Sequence, residues 1–451
     1  MSVYKVPQKE LAFIFDEIIH YSDIASLPGF EDAGRDMVDV VLPEAARFFE
    51  EIVAPTNPEG DKHPAVLKDG EVITSPGLDP IYRQMVEAGW CCLNGDSRYG
   101  GAGFPSVVDL AVQEMLQSAN VGFSLLPMLT RGVVHALGLY GTDEQKAVYL
   151  EKLISGVWSG TMNLTEPQAG SDLSAVKTKA VFNGDHYLIS GQKIYITWGD
   201  HACAENIIHL VLARRPDAPE GNQGISLFLV PQFLVNSDGT LGERNDVKPV
   251  GVEHKLGIHS SPTCTIAFGD NGGAVGYLVG EENKGWTYAK FLLMNERVGI
   301  AGTGRLRTGL GNLMAIHNHL NETAAGSYDG DDVARKHAEL SVRLDALEAL
   351  ESRALTAEEG SGESMILPLP LKLLGTHLQQ DVADLGVEIL GYSAMPRSGY
   401  GFGENDSSNE PNYRAKGPGL TSFMLSGRAS TIYGGSSEVQ RGIMSKFVLG
   451  L

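Results

Sequence analysis

Glu296 is a carboxylate with an apolar surround, in the stretch LLMNERVGIAG at residues 292–302. On a helix, its i±3 and i±4 neighbours are Leu292, Leu293, Gly299 and Ile300. Burial among them would disfavour the charged form, raise the pKa and make Glu296 a proton acceptor near neutral pH. The alternative is a buried ion pair with a distant arginine, because the adjacent Arg297 points about 100° away around the helix.

The stretch TIYGGSSEVQR, residues 431–441, combines two glycines with a polar helix start. Gly434 and Gly435 would let the backbone come close to a ligand. Ser436 and Glu438 would supply the hydroxyl and carboxylate of a helix N-terminus. A capped glycine turn without a ligand has the same pattern, so this stretch alone leaves both interpretations open.

In MNLTEPQAGSDLSAVKT, residues 162–178, the hydroxyl side chains Thr165 and Ser171 stand where helical periodicity gives way to strands. Ligands often bind at such a domain junction. The alternative is a simple N-cap loop, in which Ser171 or Asp172 closes the next turn.

The stretch KIYITWG, residues 193–199, places Tyr195 and Thr197 on one face of a strand, because side chains alternate. An aromatic ring beside a hydroxyl suits a flat heteroaromatic cofactor. An ordinary sheet face has the same pattern, so the residue types do not decide between the two.

The elements that must position these residues follow an α, β, α order. Helical periodicity predicts a helical N-terminal domain over 1–160, and short β-branched runs with a turn at Asn183-Gly184 predict an antiparallel, barrel-like middle domain over 161–281. Helical patterns return over 282–451 and predict a helical-bundle C-terminal domain. The fold class is therefore α+β multidomain. Without a βαβ alternation or a Gly-x-Gly-x-x-Gly turn, a Rossmann domain is not expected.

The composition is that of a globular protein, with 43% apolar and 20% charged residues in 451. The formal charge of −21 disfavours binding to nucleic acid or to an anionic membrane surface. We expect a cytoplasmic protein, because no apolar run approaches a membrane-spanning length and polar residues interrupt the N-terminus. The cysteines lack metal-site spacing and are predicted to be reduced, mostly buried thiols, with no metal bound: Cys91, Cys92, Cys203 and Cys264.

Taken together and in this order, these stretches resemble the acyl-CoA dehydrogenase family of flavoenzymes, from about residue 40 onward. The resemblance is carried by GTDEQKAVYLEKLISGVWSGTMNLTEPQAGSDL, KIYITWG, EHKLGIHSSPTCTIAFGD, VGEENKGW and IYGGSSEVQRGIMSKFVLGL. The stretch from about 158 to 285 is most similar to the larger, N-terminally extended branch that includes methylmercaptopropionyl-CoA dehydrogenases.

The resemblance implies a reaction in which a glutamate removes a proton from the acyl Cα and the FAD N5 takes a hydride from Cβ, giving a trans-2-enoyl-CoA. In many members the base follows the tyrosine of an Ile-Tyr-Glu-Gly motif, a position held here by Gly434. A second group places its glutamate just before the arginine of the first helix after the sheet, and Glu296 followed by Arg297 matches it. Gly434 would leave room for that carboxylate and for a branched acyl chain.

Carried over residue by residue, the resemblance implies contacts to FAD, to the acyl-CoA, or to both. The implied FAD-binding residues are Leu164, Thr165, Ser171, Tyr195, Ile196, Thr197, Ser436 and Glu438. The implied substrate-binding residues are Ser171, Arg297 and Gly434.

Two segments depart from the family pattern. An Arg-x-x-Phe-Gly segment, whose arginine holds the FAD pyrophosphate of a neighbouring subunit, has no match in ETAAGSYDGDDVARKH. A Gln-x-x-Gly-Gly-x-Gly-Tyr segment is replaced by VEILGYSAMP and a long polar loop. Both departures concern the part of the FAD site that a neighbouring subunit completes, so the flavin is expected to be held differently or by a non-identical partner subunit.

The sequence therefore predicts an FAD-dependent acyl-CoA dehydrogenase of fatty acid or lipid metabolism, with Glu296 as the base. We expect a homodimer, homotetramer or hetero-oligomer that passes electrons to an electron-transferring flavoprotein or a similar acceptor. One alternative is a subunit that binds FAD or acyl-CoA mainly to complete a partner's site. Another is a nucleic-acid-binding flavoprotein of this fold, which the charge of −21 disfavours. The acyl group stays open.

Overall fold

A computed structural model describes residues 4–236, 238–289, 302–322, 330–357, 362–391, 421 and 424–451. The chain divides into two compact units. The first contains residues up to 254 and from 258 to 296, and the second contains residues 255–257 and those from 297 onward. The N-terminal helices and the strands belong to the first unit, and the described elements of the second are helical.

The N-terminal part of the first unit is built mainly from helices. Its α-helices are α1 (Gln8–Phe13), α2 (Tyr21–Ala25), α3 (Arg35–Phe48), α4 (Thr56–Lys62), α5 (Leu78–Glu87), α6 (Ser106–Ala119), α7 (Val121–Tyr140) and α8 (Asp143–Ser155). Short π-helical turns, Ile14–Ile18 and Phe49–Val53, continue α1 and α3. The apolar faces of these helices meet in one core, which includes Val38, Met115 and Phe123.

A β-hairpin interrupts this helical part, which the prediction of a helical N-terminal domain did not include. Strands β1 (Val66–Lys68) and β2 (Glu71–Ile73) pair antiparallel across Asp69 and Gly70. Both turn residues have positive φ angles, +53° and +85°. Asp-Gly is a preferred pair for such a turn, because both central residues must adopt the left-handed conformation.

The remaining strands form one eight-stranded sheet and a small hairpin. They are β3 (Trp158–Asn163), β4 (Lys179–Asn183), β5 (His186–Thr197), β6 (Asn206–Arg214), β7 (Ile225–Pro231), β8 (Phe233–Val235), β9 (Leu241–Arg244), β10 (Val247–Val252), β11 (Thr263–Phe268) and β12 (Ala274–Val279). The sheet order is β10-β11-β5-β12-β7-β6-β3, and β8 pairs with β9. The turn predicted at Asn183-Gly184 is confirmed, since Asn183 pairs with His186.

Strand β4 closes the sheet into a barrel, because it pairs with both β5 and β6. The barrel interior holds apolar side chains such as Ile189, Val211 and Phe228. Most pairs are antiparallel as predicted, but β3 runs parallel to β6. All six residues of β3 are buried, and α7 packs closely on it at Gly160. Burial on both faces is typical of parallel strands.

Helix α7 is long and apolar enough to cross a membrane by length and composition, which the sequence analysis did not anticipate. In the part of the chain that the structure describes, it is the one helix that meets this test, and 61% of its most apolar window is buried. Phe123, Leu126 and Val133 are among its fully buried residues. Its apolar composition therefore serves the interior of the first unit.

The described part of the second unit consists of packed helices. They are α9 (Thr303–Glu322), α10 (Gly330–Thr356), α11 (Gly362–Ile366), α12 (Pro368–Leu390), a 3₁₀ turn (Arg428–Thr431) and α13 (Ser437–Phe447). Leucines at helical spacing form their core, for example Leu313, Leu344 and Leu371. This confirms the predicted helical bundle in the C-terminal part.

Candidate functional site

Two backbone carbonyl oxygens of the loop that follows β3 accept hydrogen bonds from β5. The Nζ of Lys193 donates to the carbonyl oxygen of Leu164 at 3.1 Å. The backbone N–H of Ile194 donates to the carbonyl oxygen of Thr165 at 2.9 Å. The structure therefore brings the predicted residues Leu164 and Thr165 next to the strand that carries Tyr195, Ile196 and Thr197.

A buried ion pair joins this loop to β5, and it was not predicted from the sequence. Glu166 Oε1 lies 2.8 Å from the Nζ of Lys193, and the two side chains are 3% and 0% exposed. The Glu166 carboxylate also accepts hydrogen bonds from the backbone N–H groups of Lys177 and Thr178 and from the Thr178 hydroxyl. Two charges are buried here with nearly all their hydrogen-bonding capacity used.

The pKa shifts of this pair follow from burial and mutual attraction. Burial acts to raise the pKa of Glu166, but the Lys193 ammonium and the surrounding donors outweigh it and hold the pKa at about 2. Burial lowers the pKa of Lys193 to about 8, against the attraction of Glu166. Both groups are therefore charged near neutral pH. The available sequence signals were a lysine directly before the run at residues 194–196 and a glutamate next to Pro167.

Strand β5 carries a bulge at Tyr195. Its pairing with β11 shifts between Lys193 and Ile196, so one extra residue stands on β5. Tyr195 adopts a φ of +60°, unusual for an aromatic residue, and its side chain is 60% exposed. Ile196 is buried and Thr197 is half-buried. Strained backbone of this kind concentrates at functional sites.

The end of β5 is tied to β3 and to the N-terminal helices. The hydroxyl of Thr161 donates to the carbonyl oxygen of Thr197 at 2.7 Å. The indole Nε1 of Trp198 donates to the carbonyl oxygen of Gly122 at 3.1 Å. A Cβ added at Gly122 would lie 2.2 Å from the Ser260 Oγ, so a larger residue there would require the Ser260 hydroxyl to move. These contacts hold the exposed Tyr195 and Thr197 segment on a rigid base.

Ser171 and Asp172 were alternatives for closing the turn after this loop. Asp172 does so, because its Oδ1 accepts a hydrogen bond from the backbone N–H of Ser174 at 3.0 Å. Asp172 is thereby the N-cap of a 3₁₀ turn, Leu173–Ala175. Ser171 is exposed beside it.

Two buried histidines line the β3 side of the sheet in neutral form. The Nδ1 of His201 accepts a hydrogen bond from the backbone N–H of Cys203, and its Nε2 lies 3.1 Å from the Ser159 hydroxyl. Burial lowers the pKa of His201 to about 4 and that of His209 to about 3. Neither ring carries a charge near neutral pH, so both act as hydrogen-bonding core residues.

In the second unit, Gly434 and Gly435 adopt φ angles of +66° and +91°. Glycine is therefore required by the backbone itself. The Nε2 of Gln440 donates to both of their carbonyl oxygens, at 3.2 and 3.1 Å. The Nζ of Lys372, a fully buried side chain on α12, donates to the Gly435 carbonyl at 2.8 Å. Lys372 and Gln440 support this turn, although neither residue was predicted from the sequence to do so.

Helix α13 begins as its sequence predicts. The hydroxyl of Ser436 accepts a hydrogen bond from the backbone N–H of Val439 at 3.3 Å and caps the helix. Glu438 stands in the first turn, where hydrogen bonds from its own backbone N–H and from the Ser436 hydroxyl lower its pKa. The candidate residues Glu296 and Arg297 lie outside the described residues, as does the long polar loop.

All four cysteines are buried and none forms a disulfide, as predicted: Cys91, Cys92, Cys203 and Cys264. Burial raises the pKa of Cys91 and of Cys92 to about 12. Thiols with such high pKa values are unreactive near neutral pH, so these residues are structural.

Three family models match the chain in succession. They are the N-terminal domain of acyl-CoA dehydrogenase at residues 40–157, the middle domain at 161–271 and the C-terminal domain at 283–449. The three matches run in the family's own order and together leave few residues after 40 unmatched.

The chain is also similar to proteins of known activity. It is 45% identical over 302 residues to 3-methylmercaptopropionyl-CoA dehydrogenase of Ruegeria pomeroyi, a match that covers 66% of this chain and 51% of the relative. The chain spans about half the length of the first curated relatives that it matches.

Two solved structures share the fold. Butyryl-CoA dehydrogenase from Megasphaera elsdenii superposes with a TM-score of 0.71 at 23% identity, covering 92% of this chain and 99% of that one. The FAD complex of PigA superposes with a TM-score of 0.71 at 19% identity, covering 93% and 98%. At these identities the likeness concerns the fold.

Proposed function

Because the chain belongs to the acyl-CoA dehydrogenase family, we propose that it catalyses the FAD-dependent α,β-dehydrogenation of an acyl-CoA thioester to a trans-2-enoyl-CoA. The observation that carries this proposal is the Leu164–Thr165 loop, hydrogen-bonded to a strand that bulges at an exposed Tyr195. Family members bind FAD, act on acyl-CoA and pass electrons to an electron-transferring flavoprotein.

The described residues fit a flat cofactor of this kind. The carbonyl oxygens of Leu164 and Thr165 are already engaged by β5, which fixes the loop without using the Thr165 hydroxyl. Tyr195 offers an exposed aromatic ring, and Thr197 is half-buried beside it. In this proposal these residues, with Ser171 and Ile196, hold the flavin. Ser436 and Glu438, which belong to the second unit, are proposed separately as FAD-binding residues.

Bound FAD supplies the acceptor for the hydride that leaves the acyl Cβ. Glu296 takes the proton from Cα, so that the two C–H bonds break and the Cα=Cβ double bond forms. The carboxylate of Glu296 must be ionised before the reaction and protonated after it. Arg297 and Ser171 bind the acyl-CoA, and Gly434 leaves space for the substrate in place of a second carboxylate.

The matched relatives are themselves named as dehydrogenases, which favours an enzyme over a subunit that only completes a partner's site. We propose that the chain forms a dimer or tetramer and serves fatty acid metabolism in the cytoplasm, with an electron-transferring flavoprotein or similar acceptor. The charge of −21 argues against nucleic acid or an anionic membrane surface as a partner.

The test is the visible spectrum of the purified protein beside Glu296→Gln, before and after addition of a panel of acyl-CoAs. We expect a yellow wild type that bleaches with at least one acyl-CoA, and a variant that keeps its flavin and does not bleach. A colourless wild type would contradict the proposed function, and a variant that bleaches equally fast would contradict the assignment of the base. The panel identifies the acyl group.

A further inference from the structure

The Glu166–Lys193 pair connects three segments that are distant in the chain. Lys193 belongs to β5, Glu166 to the loop after β3, and the donors of Lys177 and Thr178 to the segment that leads into β4. The same Lys193 ammonium also bonds the Leu164 carbonyl. The pair therefore acts together with the backbone bond between Ile194 and Thr165 to set where the Leu164–Thr165 loop lies relative to the bulge at Tyr195.

The pair is an inefficient way to stabilise a fold. Taking two charges out of water costs about as much as their attraction returns, and an apolar pair of similar volume is often as stable. Both side chains are almost completely buried, so solvent does not share the cost. We therefore explain the pair by its position, where it joins the loop after β3 to β5.

We infer that Glu166 and Lys193 are positioning residues, whose ion pair holds the Leu164–Thr165 loop in the arrangement that binds the flavin. This inference rests on the proposed function. Without the pair, the loop would lose the Lys193 bonds to Leu164 and Glu166 and would keep the backbone bond between Ile194 and Thr165. The loop would then occupy several arrangements, of which only a fraction would bind the cofactor.

The test compares stability with FAD affinity in Glu166→Gln, Lys193→Met and the double variant. Each single change leaves one buried charge without its partner and should lower the unfolding temperature. The double variant removes both charges, so its unfolding temperature should return towards that of the wild type. Its FAD dissociation constant should stay raised, by roughly tenfold or more, and its bound flavin should show an altered visible band.

Asp109→Asn is the matched control, because Asp109 is a carboxylate of the same unit and is only 5% exposed. Its Oδ1 accepts a hydrogen bond from the backbone N–H of Leu93, and its Oδ2 lies 3.7 Å from the Arg131 Nε; neither partner belongs to the Leu164–Thr165 loop. This control variant should lower the unfolding temperature while leaving the FAD dissociation constant within about twofold of the wild type. A double variant that recovers both stability and FAD affinity would overturn the inference. A wild type that binds no FAD would instead overturn the proposed function on which it rests.

Discussion

The indole Nε1 of Trp198 donates a hydrogen bond of 3.1 Å to the carbonyl oxygen of Gly122, which joins the end of β5 to the start of α7. Trp198 is fully buried and has a φ of +51°. The helical and β parts of the first unit therefore share a hydrogen bond three residues beyond Tyr195.

This contact gives the first prediction. Trp198→Phe leaves the Gly122 carbonyl without its indole donor and should lower the free energy of unfolding by about 1–3 kcal/mol beyond the loss of packing. Trp158→Phe is the control, because Trp158 is equally buried and its Nε1 has no hydrogen-bond partner among the described residues. Chemical unfolding of both variants measures the difference. Equal losses would show that the hydrogen bond contributes nothing.

The second prediction concerns the glycine turn before α13. Gly434→Ala should destabilise the protein by about 1 kcal/mol or more, because alanine is strained at a φ of +66°. Gly442→Ala should stabilise it by about 0.5–1 kcal/mol, since Gly442 lies inside α13 with nothing within 4 Å of an added Cβ. Thermal unfolding should shift in opposite directions, and a shift of the same sign in both would contradict the assigned backbone conformation.

The third prediction is a pH dependence from His201. Its folded-state pKa is about 4 against an ordinary value of 6.5, so the unfolded chain binds more protons between these values. Stability should therefore fall as the pH drops from 6.5 to 4, with His201 contributing roughly 3 kcal/mol of that loss. His201→Gln should flatten this part of the pH profile, measured by urea unfolding.

The control for that profile is His63→Gln, which changes an exposed histidine on the surface. Its profile is the surface-histidine reference with which the His201→Gln profile is compared. A His201→Gln profile parallel to that of the wild type would mean that His201 does not titrate with unfolding.

The fourth prediction concerns Lys372, which bonds the Gly435 carbonyl from a fully buried position. Lys372→Met keeps most of the side-chain volume and removes this donor, so we expect a loss of about 1–3 kcal/mol. Lys336→Met is the control, because Lys336 pairs with Asp332 and Glu388 on the surface and should cost less than about 1 kcal/mol. Amide hydrogen exchange at Ser436 and Ser437 should accelerate only in the Lys372 variant.

Much of the fold could be predicted from the sequence, because its signals are local. The helix start at Ser436 depends on a local contact: the Ser436 hydroxyl accepts a hydrogen bond from the backbone N–H of Val439, three residues later. The Asn183-Gly184 turn and the left-handed glycines 434 and 435 depend on residue types at adjacent positions. The Asp69-Gly70 pair is the same kind of local turn signal. The turn was not predicted, because the surrounding sequence has helical periodicity.

The candidate site was only partly predictable, for a reason visible in its contacts. The stretches 162–178 and 193–199 identified Thr165, Tyr195 and Thr197 as candidates, and the structure brings these two stretches together. Glu166 and Lys193 stand in the same two motifs, but their pairing joins residues 27 positions apart. A glutamate or a lysine in a sequence does not show whether its side chain will be buried in an ion pair or exposed to solvent.

The sequence by itself determined the order of elements, the family and the residue types available for chemistry. The tertiary structure alone decided that β3 runs parallel to β6, that β5 bulges at Tyr195, and that Lys193 is buried against Glu166. The physical reason is that a bulge, a strand register and a buried ion pair each depend on a partner segment brought close by folding. The order of residues along the chain does not specify which distant segment becomes that partner; the packing of the folded core does.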